Sequence, residues 1–93
     1  MTTIDIEKFK KESLAAGFDE VLERKWDANT TIDTHTHPFS VQALVTEGEM
    51  WFTFGGSTSH LTPGSTFKLD RDVPHSEKYG PQGTTFWVAR KYN

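Results

Sequence analysis

The sequence predicts an all-β fold, a small sandwich or barrel, preceded by one short helix. From Phe18 onward, short segments rich in β-branched and aromatic residues recur about every eight to twelve residues, and turn residues such as Gly55-Gly56 and Pro63-Gly64 separate them. Aromatic residues make up 13% of the chain, a share that suits strands packed into a compact barrel. Together these two observations favour an all-β domain.

The exception to this pattern is the stretch 4–16, which we expect to be helical. Straight-chain residues and alanine dominate it, Glu7 and Lys11 form an i,i+4 pair, and Gly17 stands where a helix C-terminal cap belongs. Gly48 marks a turn between two of the strands that we expect to follow. These strands cover residues 21–26, 30–37, 41–46, 47–54, 59–61, 65–69, 75–79 and 84–92.

The length and the charge of the chain limit the number of domains and the kinds of partner that we expect. With 93 residues there is room for a single domain, 1–93, with its barrel at about 20–92. The formal net charge is −3 and no basic stripe is present, so we expect no nucleic acid partner for this domain. The N-terminus is charged where a signal peptide needs an apolar core, and no apolar run approaches membrane-spanning length. We therefore expect a cytoplasmic protein with no membrane partner.

Three of the four histidines stand where they could share a metal ion. His35 and His37 are separated by one residue, which on a strand places both imidazoles on the same face. His75 opens a later strand and is the third ligand that we expect, while Gln42 can supply an amide oxygen. Because the chain has no cysteine, the ligands would be nitrogen and oxygen, which suits Mn, Fe, Ni, Cu or Zn. Taken alone, an HxH pair is more often two surface or interface histidines, and that alternative stays open at this point.

Two stretches of the sequence resemble the motifs of the cupin family. The stretch 35–48 is similar to the first motif: HxH, four residues, Gln42 in place of the usual glutamate, and a glycine turn. The run 64–75 resembles the second motif, in which a glycine opens a strand and a histidine follows a proline at the next corner. The resemblance implies a double-stranded β-helix, the jelly-roll-like barrel of small cupins. It also implies one divalent transition metal (Mn, Fe, Ni or Zn) inside the barrel on His35, His37, Gln42 and His75.

The resemblance extends to two groups of cupins with different functions. A set of three histidines and one glutamine is similar to that of the small cupins that open the ring of unsaturated uronates. Those enzymes carry a catalytic aspartate on the last strand, whereas Arg90 stands near that place in this chain, so their reaction does not carry over. The chain is also similar to the ligand-binding cupin of AraC-type transcription regulators, but it contains no helix-turn-helix.

Two further residues are candidates for catalysis. Glu77 lies two residues after His75 and can face the same way, as a general base or as a partner of an imidazole. Arg90 can bind a substrate carboxylate through its planar guanidinium. A solvated carboxylate and a surface arginine are the respective alternatives. We expect His60 to be an exposed hairpin histidine and Asp33 to lie near the barrel mouth.

Three functions remain open from the sequence. The first is a metal-dependent enzyme that acts on a small oxygenated or carboxylated metabolite, and the second is a non-catalytic module that binds or senses a small molecule. The third is a metal-free structural barrel, because one fold can host many functions. We also expect a homodimer, with residues 21–26 at the contact, because the edge strands of a small barrel need cover.

Overall fold

The computed structural model describes residues 4–92 and confirms an antiparallel β fold with one short helix. The ends of the predicted domain, residues 1–3 and 93, lie outside this range. The elements are α1 (Ile6–Ala15), β1 (Glu20–Trp26), β2 (Thr31–His35), β3 (Ser40–Phe54), β4 (Ser57–Leu61), β5 (Thr66–Leu69) and β6 (His75–Lys91).

Strands β3 and β6 are long, and each takes part in two four-stranded antiparallel sections. In the first section, residues 40–48 of β3 lie between β5 and residues 84–91 of β6, and β1 pairs with the other side of β6. In the second section, residues 50–54 of β3 lie between β4 and residues 75–79 of β6, and β2 completes the section on the far side of β6. This arrangement brings β1 and β2 to the same side of β6 and encloses the core between the two sections.

The breaks that the sequence predicts at Gly48 and at residues 80–83 are bends within continuous strands, which corrects the expected division into shorter strands. The pairing of β3 with β6 shifts register at Gly48, where the backbone φ is 74°, and Gly83 has a φ of 78°. A Cβ atom at Gly48 would overlap the carbonyl oxygen of Gly83. The close approach of the two strands at this bend therefore requires a glycine at position 48, whereas a Cβ atom at Gly83 would crowd the carbonyl oxygen of Trp26 on β1.

The core lies between the two sections and continues into a cavity. Phe52 and Phe67 stack with ring centroids 4.5 Å apart, and Phe52 also lies 5.6 Å from the ring of His75. The buried apolar cluster consists of Val41, Ala43, Val45, Met50, Phe52, Leu61, Leu69, Tyr79, Phe86 and Val88. Because His75 packs against this cluster, the aromatic core fixes one side of the histidine group.

Helix α1 lies against β1 and β6, outside the barrel. Asp5 caps its N-terminus by accepting a hydrogen bond from the backbone N–H of Lys8 at 2.9 Å. Lys10 places its Nζ atom 4.5 Å from the ring centroid of Trp87. Within residues 4–92, no helix has both the length and the apolar character needed to cross a membrane.

Strand β1 lies at the edge of the first section. It pairs with β6 along its whole length, and no other described strand pairs with it. Its second edge is the surface at which we expect the dimer contact, and that contact stays a prediction.

Candidate metal and ligand site

The structure brings His35, His37 and His75 together at the side of β6 that faces β2. His35 is the last residue of β2 and His75 is the first residue of β6, and the two are register partners across the strand pair. β2 ends earlier than expected, so His37 lies in the segment that leads to β3. One nitrogen from each ring lies within 4.8 Å of the others, a spacing that a single transition metal can bridge.

The hydrogen bonds of two of these rings determine which nitrogen is free. His35 Nδ1 lies 2.8 Å from the carbonyl oxygen of Asp33, and His75 Nδ1 lies 2.9 Å from the carbonyl oxygen of Val73. A carbonyl oxygen only accepts hydrogen bonds, so Nδ1 carries the proton in both rings. In its neutral form each ring therefore presents the lone pair of Nε2 to a metal ion, and the backbone holds the ring in place.

His37 is kept in its neutral form. Burial lowers its pKa from 6.5 to about 4, and the charges of His75, His35, Arg90 and Arg24 act in the same direction. Its ring stacks on Phe39 with a centroid distance of 4.8 Å. Because only a neutral imidazole binds a metal, this residue is ready to act as a ligand at neutral pH. Three imidazole nitrogen donors fit a divalent transition metal such as Mn, Fe, Ni or Zn.

Gln42 lies outside this site, which corrects the expected set of four ligands. Its amide Nε2 donates a hydrogen bond to the Oγ of Ser13 on α1 at 2.8 Å. Successive side chains of a strand point to opposite faces, and Val41 is the residue of this pair that lines the cavity. The side chain that this part of β3 contributes to the cavity is therefore apolar.

The histidines form one wall of a cavity of about 230 Å³. Charged side chains from two strands complete it: Arg24 from β1, and Glu77 and Arg90 from β6. The apolar lining consists of Trp26, Ile32, Phe39, Val41, Phe67, Leu69, Phe86 and Val88. A mostly apolar cavity with a few converging polar groups is typical of a small-molecule site.

Glu77 and Arg90, the two candidates for catalysis, both face the cavity. Glu77 places Oε2 3.7 Å from Nε2 of His35, and its side chain is only 11% exposed. Arg90 places Nη1 3.8 Å from Oε1 of Glu20, and its Nε is buried without a hydrogen-bond partner in the described chain. The structure thus places both residues beside the histidines, while their roles stay predictions.

Sequence reasoning missed Arg24 and Trp26 as residues of the site. The alternation of strand 21–26 does place both on one face, which is the signal that could have found them. Which face turns inward depends on the pairing of β1 with β6, and the sequence does not specify that pairing.

His60 and Asp33 lie apart from the cavity. His60 is in β4 with its side chain 48% exposed, 3.0 Å from Glu49, and its ring stacks on Trp51. Asp33 is exposed, and its side chain belongs to a shallow hollow on the outer face of the sheet. The expectation of an exposed histidine at position 60 is confirmed.

Comparisons with known proteins agree with this fold. The sequence model of the AraC-like ligand binding domain family matches residues 17–89. The lactose operon transcription activator of Staphylococcus xylosus is 31% identical over 84 residues, which are 88% of this chain and 30% of that protein. The chain thus spans about a third of that curated relative.

Two solved structures show the same architecture. An RmlC-like cupin from Shewanella frigidimarina superposes with a TM-score of 0.70 at 23% identity, over 78% of this chain and 65% of the other. KdgF from Halomonas sp. superposes with a TM-score of 0.66 at 17% identity, over 78% of this chain and 69% of the other. The chain has the cupin fold and belongs to the AraC-like ligand-binding domain family.

Proposed function

We propose that this chain binds a small oxygenated metabolite on one divalent transition metal held by His35, His37 and His75. The observation that carries the proposal is the convergence of three imidazole nitrogens at the wall of a cavity. Two of the rings have a fixed tautomer with Nε2 free, and the third is neutral because it is buried.

The three histidines would leave the metal's charge without compensation from its protein ligands. A metal with three protein ligands also has positions open to other donors, and when bound it supplies a Lewis acid that attracts and polarises a ligand oxygen. The chain's own residues then determine which ligand fits. The apolar walls exclude water, and the charged groups on β1 and β6 orient the polar end of the ligand.

Ligand recognition is the role that the family favours. Members of this family are described as ligand-binding domains, and the curated relative is a transcription activator of more than three times the matched length. By this analogy the metabolite would act as a signal that the domain senses.

Catalysis is a second candidate, and the position of Glu77 favours it. Its carboxylate is almost buried, faces the cavity and lies beside His35. A general base has to be within reach of the ligand in this way. Glu77→Gln keeps the size and removes the basic carboxylate, so it would abolish turnover of a substrate but leave most of the binding of a sensed ligand.

A metal titration tests the main proposal. We expect untagged protein to bind close to one Ni²⁺ or Zn²⁺ per chain in calorimetry, and His35→Ala or His75→Ala to weaken binding by more than about tenfold. His60→Ala is the matched control, because this exposed histidine lies outside the cavity. Wild-type protein that binds no metal, or an equal loss in the His60 variant, would contradict the proposal.

A further inference from the structure

We infer that Arg24 and Arg90 together form the part of the cavity that binds a carboxylate group of the ligand. This inference rests on the proposed function and names the class of ligand: a small carboxylic acid with a second oxygen donor that can reach the metal.

The pairing of the strands places both arginines on the inner face of the first section. Arg24 shares the inward face of β1 with Leu22 and Trp26 and is half-buried. Arg90 is the register partner of Val41 on one side and of Glu20 on the other. Both side chains line the cavity. The two guanidinium groups can therefore approach one ligand in this cavity, one from β1 and the other from β6.

Neither arginine has a close carboxylate partner of its own. In the part of the chain that the structure describes, Arg24 forms no ion pair, and its guanidinium lies 5.0 Å from the ring centroid of Trp26. The guanidinium of Arg90 lies 4.9 Å from the ring centroid of Phe39. Among the described carboxylates it contacts Glu20 at 3.8 Å, and the same Glu20 oxygen also accepts a hydrogen bond from the hydroxyl of Tyr92. Most guanidinium N–H groups of Arg24 and Arg90 are therefore available to hydrogen-bond a ligand.

Two residues that line the cavity also carry buried N–H groups without a partner. Arg90 Nε and Trp26 Nε1 are both buried, and neither forms a hydrogen bond to any described residue. A buried donor that stays unpaired destabilises the protein, because it has lost its hydrogen bond to water and gained none in return. A ligand with acceptor oxygens would satisfy such groups, whereas an apolar ligand would not.

The charges around the cavity favour an anion. Arg24 and Arg90 contribute two positive charges, and Glu77 is the one acidic side chain among the residues that line the cavity. A metal ion would raise the positive excess further. Half-buried charges of one sign require a counter-charge, and a guanidinium binds a carboxylate through two parallel hydrogen bonds.

The size of the cavity limits the ligand. A volume of about 230 Å³ corresponds to roughly seven or eight water molecules at about 30 Å³ each. A dicarboxylate or a hydroxy acid of fewer than about ten heavy atoms fits this space. Such a ligand can place one oxygen donor at the histidines and its carboxylate at the arginines.

Binding of malonate, acetate and inorganic phosphate to the Ni²⁺-loaded full chain tests the inference. We expect malonate to bind most tightly, and Arg24→Gln and Arg90→Gln each to weaken it by about tenfold or more, as expected for a lost charged hydrogen bond. Arg90→Lys keeps the charge but loses the planar fork, so it should bind malonate with intermediate affinity. Lys25→Gln, on the outer face of β1, is the matched control and should leave malonate binding unchanged.

Several results would overturn the inference. Malonate binding that is equal in wild type and in folded Arg24→Gln and Arg90→Gln proteins would do so, and so would tighter binding of phosphate than of malonate. Arg90→Lys serves if Arg90→Gln fails to fold, and an unchanged affinity in that variant also counts against the role of Arg90. Metal content, measured on every variant by elemental analysis, should stay at the wild-type level, and its loss would mean that the arginines support the metal site instead.

A failure of the proposed function can be recognised separately. If wild-type protein binds no metal, malonate is titrated into the metal-free chain. Binding that is lost in the two arginine variants would then support the carboxylate site without the metal, and no binding would overturn it.

Discussion

His35 and His75 face each other as register partners across β2 and β6, and each donates its Nδ1 proton to the carbonyl oxygen two residues earlier in the chain. The centroids of their rings are 4.2 Å apart. Two strands distant in sequence thus use the same local hydrogen bond to present Nε2. The backbone therefore holds both imidazoles in place without a metal, which would reduce the cost of ordering them if a metal binds.

The first prediction concerns pH and the stability of the metal-free protein. The pKa of His37 is about 4 when folded and 6.5 otherwise, so between these values the unfolded state binds more protons. The contribution of neutral His37 to stability is therefore present above pH 6.5, falls as the pH drops, and is lost below about pH 4. Urea unfolding of the metal-free chain at several pH values measures this.

The matched variant for this prediction is His37→Gln, which cannot titrate. Its stability should depend less on pH between 6.5 and 4. If the two proteins show parallel pH profiles, His37 is not the group responsible.

The second prediction compares two neighbouring residues that face opposite sides of β3. Val41→Glu places a carboxylate in the cavity near the histidines and next to its register partner Arg90. It should tighten binding of divalent metal and weaken binding of malonate, because the new charge competes for the same arginine. Gln42→Glu should leave metal affinity unchanged, since Gln42 bonds to Ser13 on the helix.

The cost of Gln42→Glu should appear in stability instead. It replaces the amide donor to a buried hydroxyl, and we expect a loss of about 0.5–1.5 kcal/mol in the free energy of unfolding. Metal titration and denaturant unfolding of both variants separate the two effects. A change in metal affinity that is larger at position 42 than at position 41 would argue against the assignment of faces.

The third prediction concerns the crossing of the two bent strands. Gly48→Ala adds a methyl group that overlaps the backbone of Gly83 at a φ of 74°. We expect it to destabilise the fold by about 3 kcal/mol or more, from overpacking and backbone strain together. Gly55→Ala is the control: its φ is 59°, and nothing lies within 4 Å of the added group, so only the strain of about 1–2 kcal/mol remains.

Thermal or urea unfolding compares the two glycine variants. Equal losses of stability at positions 48 and 55 would mean that β3 and β6 do not approach each other at this point.

The fourth prediction concerns assembly. The free edge of β1 exposes backbone donors and acceptors that can pair with a second copy. Light scattering should give about twice the 10.6 kDa of one chain at micromolar concentration. Amide hydrogen exchange in β1 should slow as the protein concentration rises, whereas the exchange rates in helix α1 should stay unchanged. A mass of a single chain throughout would reject the dimer.

The sequence by itself determined the fold class and the three histidines. Strand-forming segments and turn residues are local signals, because the alternation of side chains along a strand and the backbone freedom of glycine depend on only a few neighbouring residues. These signals therefore predict an all-β barrel from the sequence. The spacing of His35 and His37, with His75 after Pro74, likewise pointed to the three histidines that the structure brings together; their role as metal ligands stays a prediction.

Only the tertiary structure decided which face of each strand turns inward. A shift of one residue in strand pairing moves every side chain of a strand to the other face. The alternation of residues along β3 therefore does not tell whether Gln42 or Val41 faces the cavity. Arg24 enters the site because β1 pairs with β6, and Gly48 bends a strand because Gly83 lies against it. These contacts join residues that are far apart in the chain, and they form only when the strands of the barrel pack together.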